Sequence, residues 1–356
     1  MRILVLMKRF GAGKDMVLFD FGRQIRLFEN IAKDNDVDFF VVDYKKRETR
    51  NLSLHGMKFY IRPYSIFSHF SFFSELNEII KRKKYDFIVG STDPLLGIIA
   101  CKLGKKHDIK SVYDMQDEYS IYSSYKIPFV KMMDKKAIKN SDVVFTVSES
   151  LNDYIKKIRT KKTVTIENGI DLSDFKKAKK ETARKKLGLS GGKLVIYAGE
   201  ISKFKGVDVL IEAFSHVKME FPECRLLLTG PIIDVDLEKP GIIYRKYPKR
   251  EDLVMVLFAA DVAVLPNPSN TFSKYSFPYK LMEYMAANIP IVTTNIGDVS
   301  KILEKYEGSI CSYDTWDMAA KISKKLKNSS KMPNYDIKRF EWENLSKKAV
   351  KILLND

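Results

Sequence analysis

The chain has 356 residues, which is long enough for two domains that each bury a core of their own. Hydrophobic residues make up 45% and charged residues 30%, a globular composition that excludes a disordered or fibrous protein. Lysine and arginine together number 62 against 45 acidic residues, and the resulting net charge of +17 favours anionic partners such as nucleotides, nucleic acid or a phospholipid surface.

The cysteines and the apolar stretches indicate the compartment. Cys101, Cys224 and Cys311 are odd in number and far apart, a pattern that fits neither a disulfide framework nor a zinc site. The N-terminal apolar run is too short for a signal peptide, and no stretch approaches the roughly 20 apolar residues of a membrane span. We therefore expect a cytoplasmic protein whose contact with a membrane, if it has one, is peripheral.

Short apolar strands alternate with helical patterns along the first half of the chain. Strands are predicted at 2–7, 37–43, 85–91, 110–115 and 142–148. Helices are predicted at 74–83, at 95–105 and over the apolar residues from Phe19 to Ile31. Near-continuous apolar strands separated by helices indicate a parallel sheet that is covered on both faces.

The alternation pauses at 172–193, a basic segment that is short of large apolar residues and is therefore the predicted domain junction. A second set follows, with strands at 193–199, 224–230, 241–246, 261–266 and 290–294 and helices near 206–219, 250–259 and 278–287. A charged amphipathic helix near 341–354 ends the chain. Two successive α/β halves are predicted, with the cleft between them as the binding site.

The loop 8–15, "KRFGAGKD", follows the first strand and is predicted to open a helix. Gly11 and Gly13 lack the third glycine of a dinucleotide fingerprint, and Lys14 is not followed by the Ser or Thr of a P-loop. What remains is a flexible turn at a helix N-terminus, which lets an anion or a sugar approach the backbone amides closely. An ordinary strand–helix turn fits the same residues equally well.

Two segments of the second half carry phosphate- and sugar-binding patterns. Lys203 and Lys205 precede a predicted helix, where backbone amides and the helix dipole already favour negative charge. Pro278 fits a first helical turn, so the amides of 277–281 can face the cleft. Glu283 then lies one turn further along, where a carboxylate can accept hydrogen bonds from ribose hydroxyls, although spacing alone favours an ordinary solvated glutamate.

Several motifs occur in a fixed order over most of the chain: "VSESLNDYI" (147–155), "VTIENGIDLSDF" (164–175), "ARKKLGL" (183–189), "YAGEISKFKGVDVLIEAF" (197–214), "LLLTGP" (226–231), "ADVAVLPNP" and "FPYKLMEYMAANIPIVTTNIG". In this order and spacing they resemble the retaining glycosyltransferases of family 4, which have the GT-B fold. The resemblance implies an α/β protein of two Rossmann-like domains that face each other across a cleft. It implies an acceptor domain at 1–172, a donor domain at 190–338 and a last helix, 339–356, that packs back on the first domain.

The resemblance also assigns roles to single residues. Lys205 matches the lysine that neutralises the donor diphosphate, and Glu283 matches the glutamate that binds the ribose. Gln116 and Asp117 align with a segment near the donor sugar and join Lys205 as candidate catalytic residues. The donor-binding residues expected on this basis are Glu283, Lys203, Gly230, Tyr275, Phe277, Pro278, Lys280, Gly11 and Gly13.

Three positions depart from the family pattern. Glu200 stands where an arginine is usual, and Lys203 or Arg9 are the candidates to supply the missing charge. Tyr275 replaces the first glutamate of the usual pair. Gln116 replaces a histidine, and an amide cannot act as an acid or base near pH 7.

The activity implied is the transfer of a sugar from a UDP- or GDP-sugar to a lipid-linked or glycan acceptor. The developing charge of the leaving group can be held by a lysine and helix N-termini, so no essential metal is predicted, and the triplet "DVD" at 234–236 is interpreted as chance. No separate cofactor is expected, because the nucleotide-sugar is a co-substrate. The alternative is a catalytically degenerate subunit that binds a donor or a partner without turnover; an epimerase ranks below it, and a nucleic-acid-binding protein ranks last.

The first half carries features of an anionic membrane surface. Residues 1–170 contain 31 basic and 21 acidic residues, a net charge of +10. Aromatic and apolar residues adjoin lysines at 61–73 and 121–139, as they do in proteins that lie in a membrane interface. The alternative is that the phenylalanines of 67–73 belong to the core and that the lysines form an ordinary solvated face.

Overall fold

The computed structural model of the chain describes residues 1–11, 14–65, 67–175, 178–189, 191–328 and 332–355. These residues form two compact units. The first comprises Met1–Gly169 with Trp342–Asp356, and the second comprises Ile170–Glu341.

The first unit is built on a mostly parallel sheet. Its strands are β1 (Arg2–Lys8), β2 (Phe10–Gly11), β3 (Lys14–Asp15), β4 (Asp36–Asp43), β5 (Arg50–Leu54), β6 (Met57–Pro63), β7 (Phe87–Ser91), β8 (Lys110–Met115), β9 (Val143–Thr146) and β10 (Thr163–Thr165). Its helices up to this point are α1 (Arg23–Ile31), α2 (His69–Lys83), α3 (Pro94–His107), α4 (Val130–Asn140) and α5 (Glu149–Lys156). The strand order in the main sheet is β10–β9–β8–β7–β1–β4–β6–β5, parallel throughout except for the antiparallel pair β5–β6.

The apolar run of β1 is buried because both faces of the sheet are covered. Ile3, Val5 and Met7 belong to a core cluster that includes α1. Leu4 and Leu6 point the other way and pack with residues of α2 and α3. Period-two alternation therefore sends every side chain of the run into one core or the other, as the apolar strand pattern predicts.

The second unit repeats the same principle with an all-parallel sheet. Its strands are β11 (Leu194–Ala198), β12 (Arg225–Thr229), β13 (Ile242–Tyr244), β14 (Val262–Leu265), β15 (Ile291–Thr294) and β16 (Ile310–Cys311). Its helices are α6 (Lys180–Leu187), α7 (Val207–Glu220), α8 (Arg250–Ala259), α9 (Thr271–Tyr275), α10 (Tyr279–Ala286), α11 (Gly297–Leu303) and α12 (Thr315–Lys327). The strand order is β13–β12–β11–β14–β15–β16.

Each sheet has a point where the strand order reverses. In the first sheet β1 has β4 on one side and β7 on the other; in the second sheet β11 lies between β12 and β14. Loops that leave the carboxyl ends of the strands diverge at such a point and leave a crevice, which is where open α/β sheets bind ligands. The loops after β1 and β11 are therefore the first places to look for a site.

The basic segment 172–193 is part of the second unit, whose boundary lies between Gly169 and Ile170. Its helix α6 buries Ala183. Lys180 and Arg184 both form ion pairs with Asp261 at the start of β14, with nitrogen–oxygen distances of 2.9 and 2.5 Å. The lysines and arginines that make the segment look like a linker therefore include two that bind this helix to the sheet.

The last helix, α13 (Trp342–Leu354), belongs to the first unit. The Ser346 hydroxyl donates to the Leu27 carbonyl of α1 at 2.7 Å. Gly169 packs against the ring of Trp342, and a Cβ added to Gly169 would come within 2.5 Å of an indole carbon. This close packing joins the end of the chain to the sheet that its beginning forms. None of the helices in the described residues is long and apolar enough to cross a bilayer.

Candidate functional site

Two glycines end the neighbouring strands β11 and β12. Gly199 and Gly230 have φ values of +143° and +137°, which side-chain-bearing residues rarely adopt. A Cβ on Gly230 would lie 2.0 Å from the Gly199 carbonyl oxygen, so the two loops touch backbone to backbone. Neither glycine adds a side chain to the carboxyl edge of the second sheet at this point, and the backbone and a neighbouring side chain pack closely against both.

The loop after β11 carries Lys205 to the same edge. A short 3₁₀ turn, Lys203–Lys205, precedes α7, and Gly206 caps that helix with φ +74°. A Cβ on Gly206 would lie 2.0 Å from the Pro266 carbonyl at the end of β14. The loop is thus seated at the point where the strand order reverses. The Lys205 ammonium lies 3.9 Å from the ring centroid of Phe272, a cation–π geometry.

Lys280, in the first turn of α10, reaches Gly199. Its ammonium donates to the Tyr197 hydroxyl at 2.8 Å and lies 4.0 Å from the centre of that ring. A Cβ on Gly199 would come within 2.5 Å of the Lys280 Nζ. The pKa of Lys280 is lowered to about 7, mainly by burial and also by the neighbouring charge of Lys205, while the carboxylates of Glu283 and Glu200 oppose the shift.

Glu283 lies in the second turn of α10, as predicted, and its carboxylate is only 15% exposed. It forms an ion pair with Arg250, the first residue of α8. Arg250 also pairs with Asp174 at 3.3 Å, and its guanidinium lies over the Phe175 ring. Burial lowers the pKa of Arg250, but the Glu283 and Asp174 carboxylates raise it by more, so its pKa lies above the usual value.

The other donor-binding candidates on α9 and α10 have different environments. Phe277 is 2% exposed and packs against Phe340 with ring centroids 5.7 Å apart, so its ring belongs to the core. Pro278 is the N-cap of α10 and does not lie inside the helix. Tyr275 ends α9 and is partly buried. Of these residues, only Tyr275 has a side chain with polar atoms to offer a ligand.

Lys203 has an exposed side chain, and its backbone amide donates to Asp234 at 2.9 Å. Asp236 in turn accepts from the Glu238 amide. The two aspartates of the "DVD" triplet therefore shape a loop. Across the described ranges, no group of three or more histidine, cysteine, aspartate or glutamate side chains is placed to hold a metal ion.

At the carboxyl edge of the first sheet, Gln116 is held by a buried network. Its amide nitrogen donates to Ser91 at 2.8 Å and to Asp114 at 3.2 Å. Asp114 is fully buried and pairs with Arg23 at 2.9 Å. Asp117, next in the chain, accepts from the Tyr122 hydroxyl at 2.6 Å. Gln116 is thus fixed in position by Ser91 of β7 and Asp114 of β8, and Asp117 by Tyr122 five residues further along the chain.

The loop 8–15 differs from the prediction. Phe10–Gly11 and Lys14–Asp15 pair as a short antiparallel hairpin, and α1 begins only at Arg23, so the expected helix start at this loop is wrong. The apolar residue Phe19 lies in the turn before α1 and is 69% exposed. Gly11 belongs to the hairpin, where a Cβ would meet the Met16 sulfur at 2.8 Å. Gly13 lies outside the described residues.

Arg9 was a candidate for the charge missing at Glu200, and the structure contradicts this. Its side chain is fully buried and pairs with Asp15 at 2.8 Å and with Asp43 and Glu48 at 2.7 Å. Three carboxylates already neutralise the guanidinium, so it is a structural residue of the first unit.

Sequence reasoning missed Arg250, Tyr197 and Asp114. Tyr197 is the first residue of the motif 197–214 and Arg250 lies outside the motifs, but the role of each depends on a partner that is far away in the chain: Arg250 pairs with Glu283 and Tyr197 with Lys280. The only local signal was polarity at the end of an apolar strand, which Asp114 in "KSVYDM" displays.

Comparison with known proteins matches this chain in two blocks. A family model described as glycosyl transferases group 1 matches residues 192–328, and one described as glycosyltransferase family 4 matches residues 26–174. The putative teichuronic acid biosynthesis glycosyltransferase TuaC of Bacillus subtilis is 28% identical over 53% of this chain and 48% of its own length. An uncharacterized glycosyltransferase of Methanocaldococcus jannaschii is 23% identical over 90% of both chains. The first curated relatives are matched over about half of their length.

Solved structures show the same fold at low identity. Sucrose-phosphate synthase from Thermosynechococcus elongatus superposes with a TM-score of 0.76 at 17% identity and covers 100% of this chain and 99% of its own. The Anabaena protein HepE, solved in complex with UDP, superposes with a TM-score of 0.72 at 13% identity over 100% of both chains. Sucrose-phosphate synthase is a glycosyltransferase of the GT-B type. Because the two family models together match more than half of the chain, it belongs to glycosyltransferase family 4 and has the GT-B fold.

Proposed function

We propose that this chain is a retaining glycosyltransferase that moves a sugar from a UDP- or GDP-sugar to a lipid-linked or glycan acceptor without an essential metal. The observation that supports this best is the carboxyl edge of the second sheet. Gly199 and Gly230 add no side chains there, the Lys280 ammonium lies against Gly199 with Lys205 near enough to affect its pKa, and Glu283 follows one turn along α10. Cations at this edge suit a diphosphate, and a carboxylate at that spacing suits ribose hydroxyls.

The chemistry of transfer makes a cation at this place useful. The bond between the anomeric carbon and the diphosphate oxygen breaks while the oxygen of the acceptor hydroxyl bonds to the same carbon, and the proton of that hydroxyl passes to the leaving diphosphate. Negative charge develops on the diphosphate, and Lys205 stabilises that charge. A positioned donor of this kind typically contributes about 100- to 1000-fold in rate, because it is already oriented before the reaction.

Glu283 can bind ribose hydroxyls without losing Arg250. A carboxylate has two oxygens and accepts up to about four hydrogen bonds, so one oxygen can serve the guanidinium while the other serves a hydroxyl. Arg250 then orients the carboxylate. This arrangement assigns recognition of the ribose to a side chain, as expected from the resemblance, and leaves the base unassigned.

Gln116 and Asp117 are proposed to act on the sugar from the first unit. Both hydrogens of the Gln116 amide are directed at Ser91 and Asp114. This leaves the amide carbonyl as the acceptor that a sugar hydroxyl can use. Gln116 therefore positions the donor, while Asp117 is the carboxylate in this segment that can interact with positive charge on the anomeric carbon.

The relatives support the donor and acceptor classes. HepE is described in complexes with UDP, with UDP and glucose, and with UDP-glucose. TuaC is named for teichuronic acid biosynthesis, which is glycan synthesis. These descriptions support a UDP-sugar as the first donor to test and a glycan or its lipid-linked precursor as the acceptor.

A peripheral membrane contact of the first unit is part of the proposal. Phe67 and Phe70, at the start of α2, are 99% and 87% exposed, and Phe129, at the start of α4, is 72% exposed. Phe72 is buried, so only part of the aromatic cluster belongs to the core. Both segments follow strands at the carboxyl edge of the sheet. Apolar side chains beside the lysines of 126–136 suit an anionic bilayer, which would bring a lipid-linked acceptor to this edge.

A turnover assay tests the proposed function. The chain is incubated with UDP-glucose, UDP-N-acetylglucosamine or GDP-mannose and with polyprenyl-phosphate-linked acceptors, and the released nucleoside diphosphate and labelled lipid are measured with and without EDTA. We expect one donor to release nucleoside diphosphate in an acceptor-dependent way, unchanged by EDTA. Donor binding without any release would instead favour the degenerate subunit, and loss of release in EDTA would contradict metal independence.

A further inference from the structure

The Lys280 ammonium occupies an unusual position for a lysine. It lies at the carboxyl end of β11, 2.8 Å from the Tyr197 hydroxyl. It is also 2.5 Å from the position that a Cβ on Gly199 would occupy. The Tyr197 hydroxyl accepts from Lys280 and donates to the Glu200 carbonyl at 2.8 Å. This chain of two hydrogen bonds fixes the ammonium at the edge where the strand order reverses.

The charged groups around Lys280 do not neutralise it. Glu283, on the same helix, is already paired with Arg250 of α8, and the Glu200 carboxylate accepts from the Ser202 hydroxyl at 2.8 Å. Within the described part of the chain, Lys280 forms no ion pair with a carboxylate. Lys205, from the loop after β11, adds a like charge. A shielded cation without a counter-ion is costly to keep, and a bound anion would relieve that cost.

We infer that Lys280 is the second cation of the diphosphate site, acting with Lys205, and that Tyr197 is the residue that positions it. The inference rests on the proposed function, because it takes a nucleoside diphosphate as the ligand. One lysine cannot balance a diphosphate. The other charged residues of the loop that carries Lys205 are Glu200, which is acidic, and Lys203, whose side chain is exposed. The second positive charge therefore comes from the start of α10.

Proton uptake on binding follows from this assignment. Without ligand, burial and the charge of Lys205 hold the pKa of Lys280 at about 7, so the group is largely neutral at pH 8. A diphosphate in contact with the amine stabilises the charged form and raises that pKa. At pH 8 binding should therefore take up about 0.9 proton, and the dissociation constant should rise about eightfold between pH 7.5 and pH 8.5.

Isothermal titration calorimetry counts this proton directly. UDP and GDP are titrated into the full chain at pH 8 in HEPES and in Tris, whose ionisation enthalpies differ, with EDTA present. The phosphates of both nucleotides are fully ionised at this pH, so they do not contribute. The variants are Lys280→Met, Tyr197→Phe and, as a matched control, Lys324→Met on the exposed face of α12. Melting temperatures establish that each variant is folded.

The expected result is uptake of nearly one proton by the wild type and by Lys324→Met. Lys280→Met should bind at least tenfold more weakly with no uptake, and Tyr197→Phe should bind more weakly while it keeps an uptake. Equal affinity and equal proton count in Lys280→Met would overturn the inference and leave the proposed function standing. The wild-type proton count decides the question even if a variant does not fold, since no uptake at pH 8 contradicts the inference. Absence of any UDP or GDP binding would instead overturn the proposed function.

Discussion

The cations at the carboxyl edges of the two sheets have different partners. In the first unit, the buried Arg9 contacts Asp15 and Asp43, which are buried, and Glu48, which is 45% exposed, and the buried Arg23 pairs with the buried Asp114. Lys8 pairs with the N-cap residue Asp93 of α3. The positive charges there are neutralised within the unit.

In the second unit, the cations at the same edge lie against aromatic rings. Lys205 lies over Phe272 and Lys280 over Tyr197, and the carboxylate next to them, Glu283, is engaged by Arg250. An aromatic face attracts a cation but does not neutralise its charge. In the described residues, Lys280 forms no ion pair with a carboxylate. The net charge of the chain therefore says less about where an anion would bind than the counter-ions around each cation do.

The largest expected effect comes from removing a buried ion pair at the carboxyl edge of the first sheet. Arg23→Met leaves the fully buried Asp114 carboxylate without its partner, and we expect the free energy of unfolding to fall by about 3–5 kcal/mol. Urea denaturation followed by circular dichroism measures this change. Arg2→Met is the matched control, because the Arg2–Asp36 pair is 56% and 78% exposed and should contribute less than about 1 kcal/mol. Similar losses in both variants would contradict the contrast between the sites.

The next largest effect is expected when a cation is removed from the carboxyl edge of the second sheet. Lys205→Met should lower kcat with the preferred donor by about 100- to 1000-fold, because the charge on the leaving diphosphate loses a fixed partner. Stability should change little, since the side chain is only partly buried. Steady-state nucleoside diphosphate release measures kcat, with Lys324→Met as the control. A kcat within a factor of three of the wild-type value would remove Lys205 from the reaction.

A smaller effect concerns the ribose. Glu283→Gln keeps the shape of the side chain but loses the charge that accepts hydroxyl hydrogens and pairs with Arg250. We expect the wild type to bind UDP about tenfold more tightly than 2′-deoxy-UDP and the variant to bind the two nucleotides within about twofold of each other. Competition calorimetry gives both ratios. Unchanged discrimination in the variant would place the ribose elsewhere.

The smallest effect tests the outer surface of the first unit. Combined substitution of Phe67, Phe70 and Phe129 by serine should lower partitioning onto phosphatidylglycerol vesicles about tenfold, because exposed apolar area no longer enters the interface. Vesicle co-sedimentation measures the bound fraction. Trp316→Ser is the control, as this residue is 62% exposed but lies in the second unit. Equal loss in the control would show unspecific adsorption.

Much of the fold could be predicted from apolar strand patterns. The runs at 2–7 and 110–115 are strands because a strand buried on both faces needs an unbroken apolar stretch. The antiparallel strand β5 was not predicted, since three of its five residues are polar and an edge strand does not need an unbroken apolar run. The hairpin at Phe10–Asp15 was missed for a related reason: glycines indicate a turn but do not say where the next helix begins.

Residues of the candidate site could be predicted only where they belong to a recognisable sequence motif and their role does not depend on a distant partner. Lys205, Lys280 and Glu283 were named from their motifs, and the structure brings them to one edge of the second sheet. Arg250 and Tyr197 were not predicted, because each acts on a residue 33 or 83 positions away in the chain. Phe277 was expected to bind donor, but its ring packs on Phe340, a contact that the local sequence does not encode.

The most direct test of the account is a thermal-shift panel on the wild type with UDP, GDP, ADP, CDP and NAD, repeated on Lys205→Ala and Glu283→Ala. A ligand at about 100 times its dissociation constant stabilises the fold by about 2.7 kcal/mol, which gives a clear rise in melting temperature. The account predicts that UDP or GDP stabilises the wild type and that both variants lose most of this rise. No stabilisation by any nucleoside diphosphate, or the same rise in both variants, would contradict the claim that the carboxyl edge of the second sheet is the donor site.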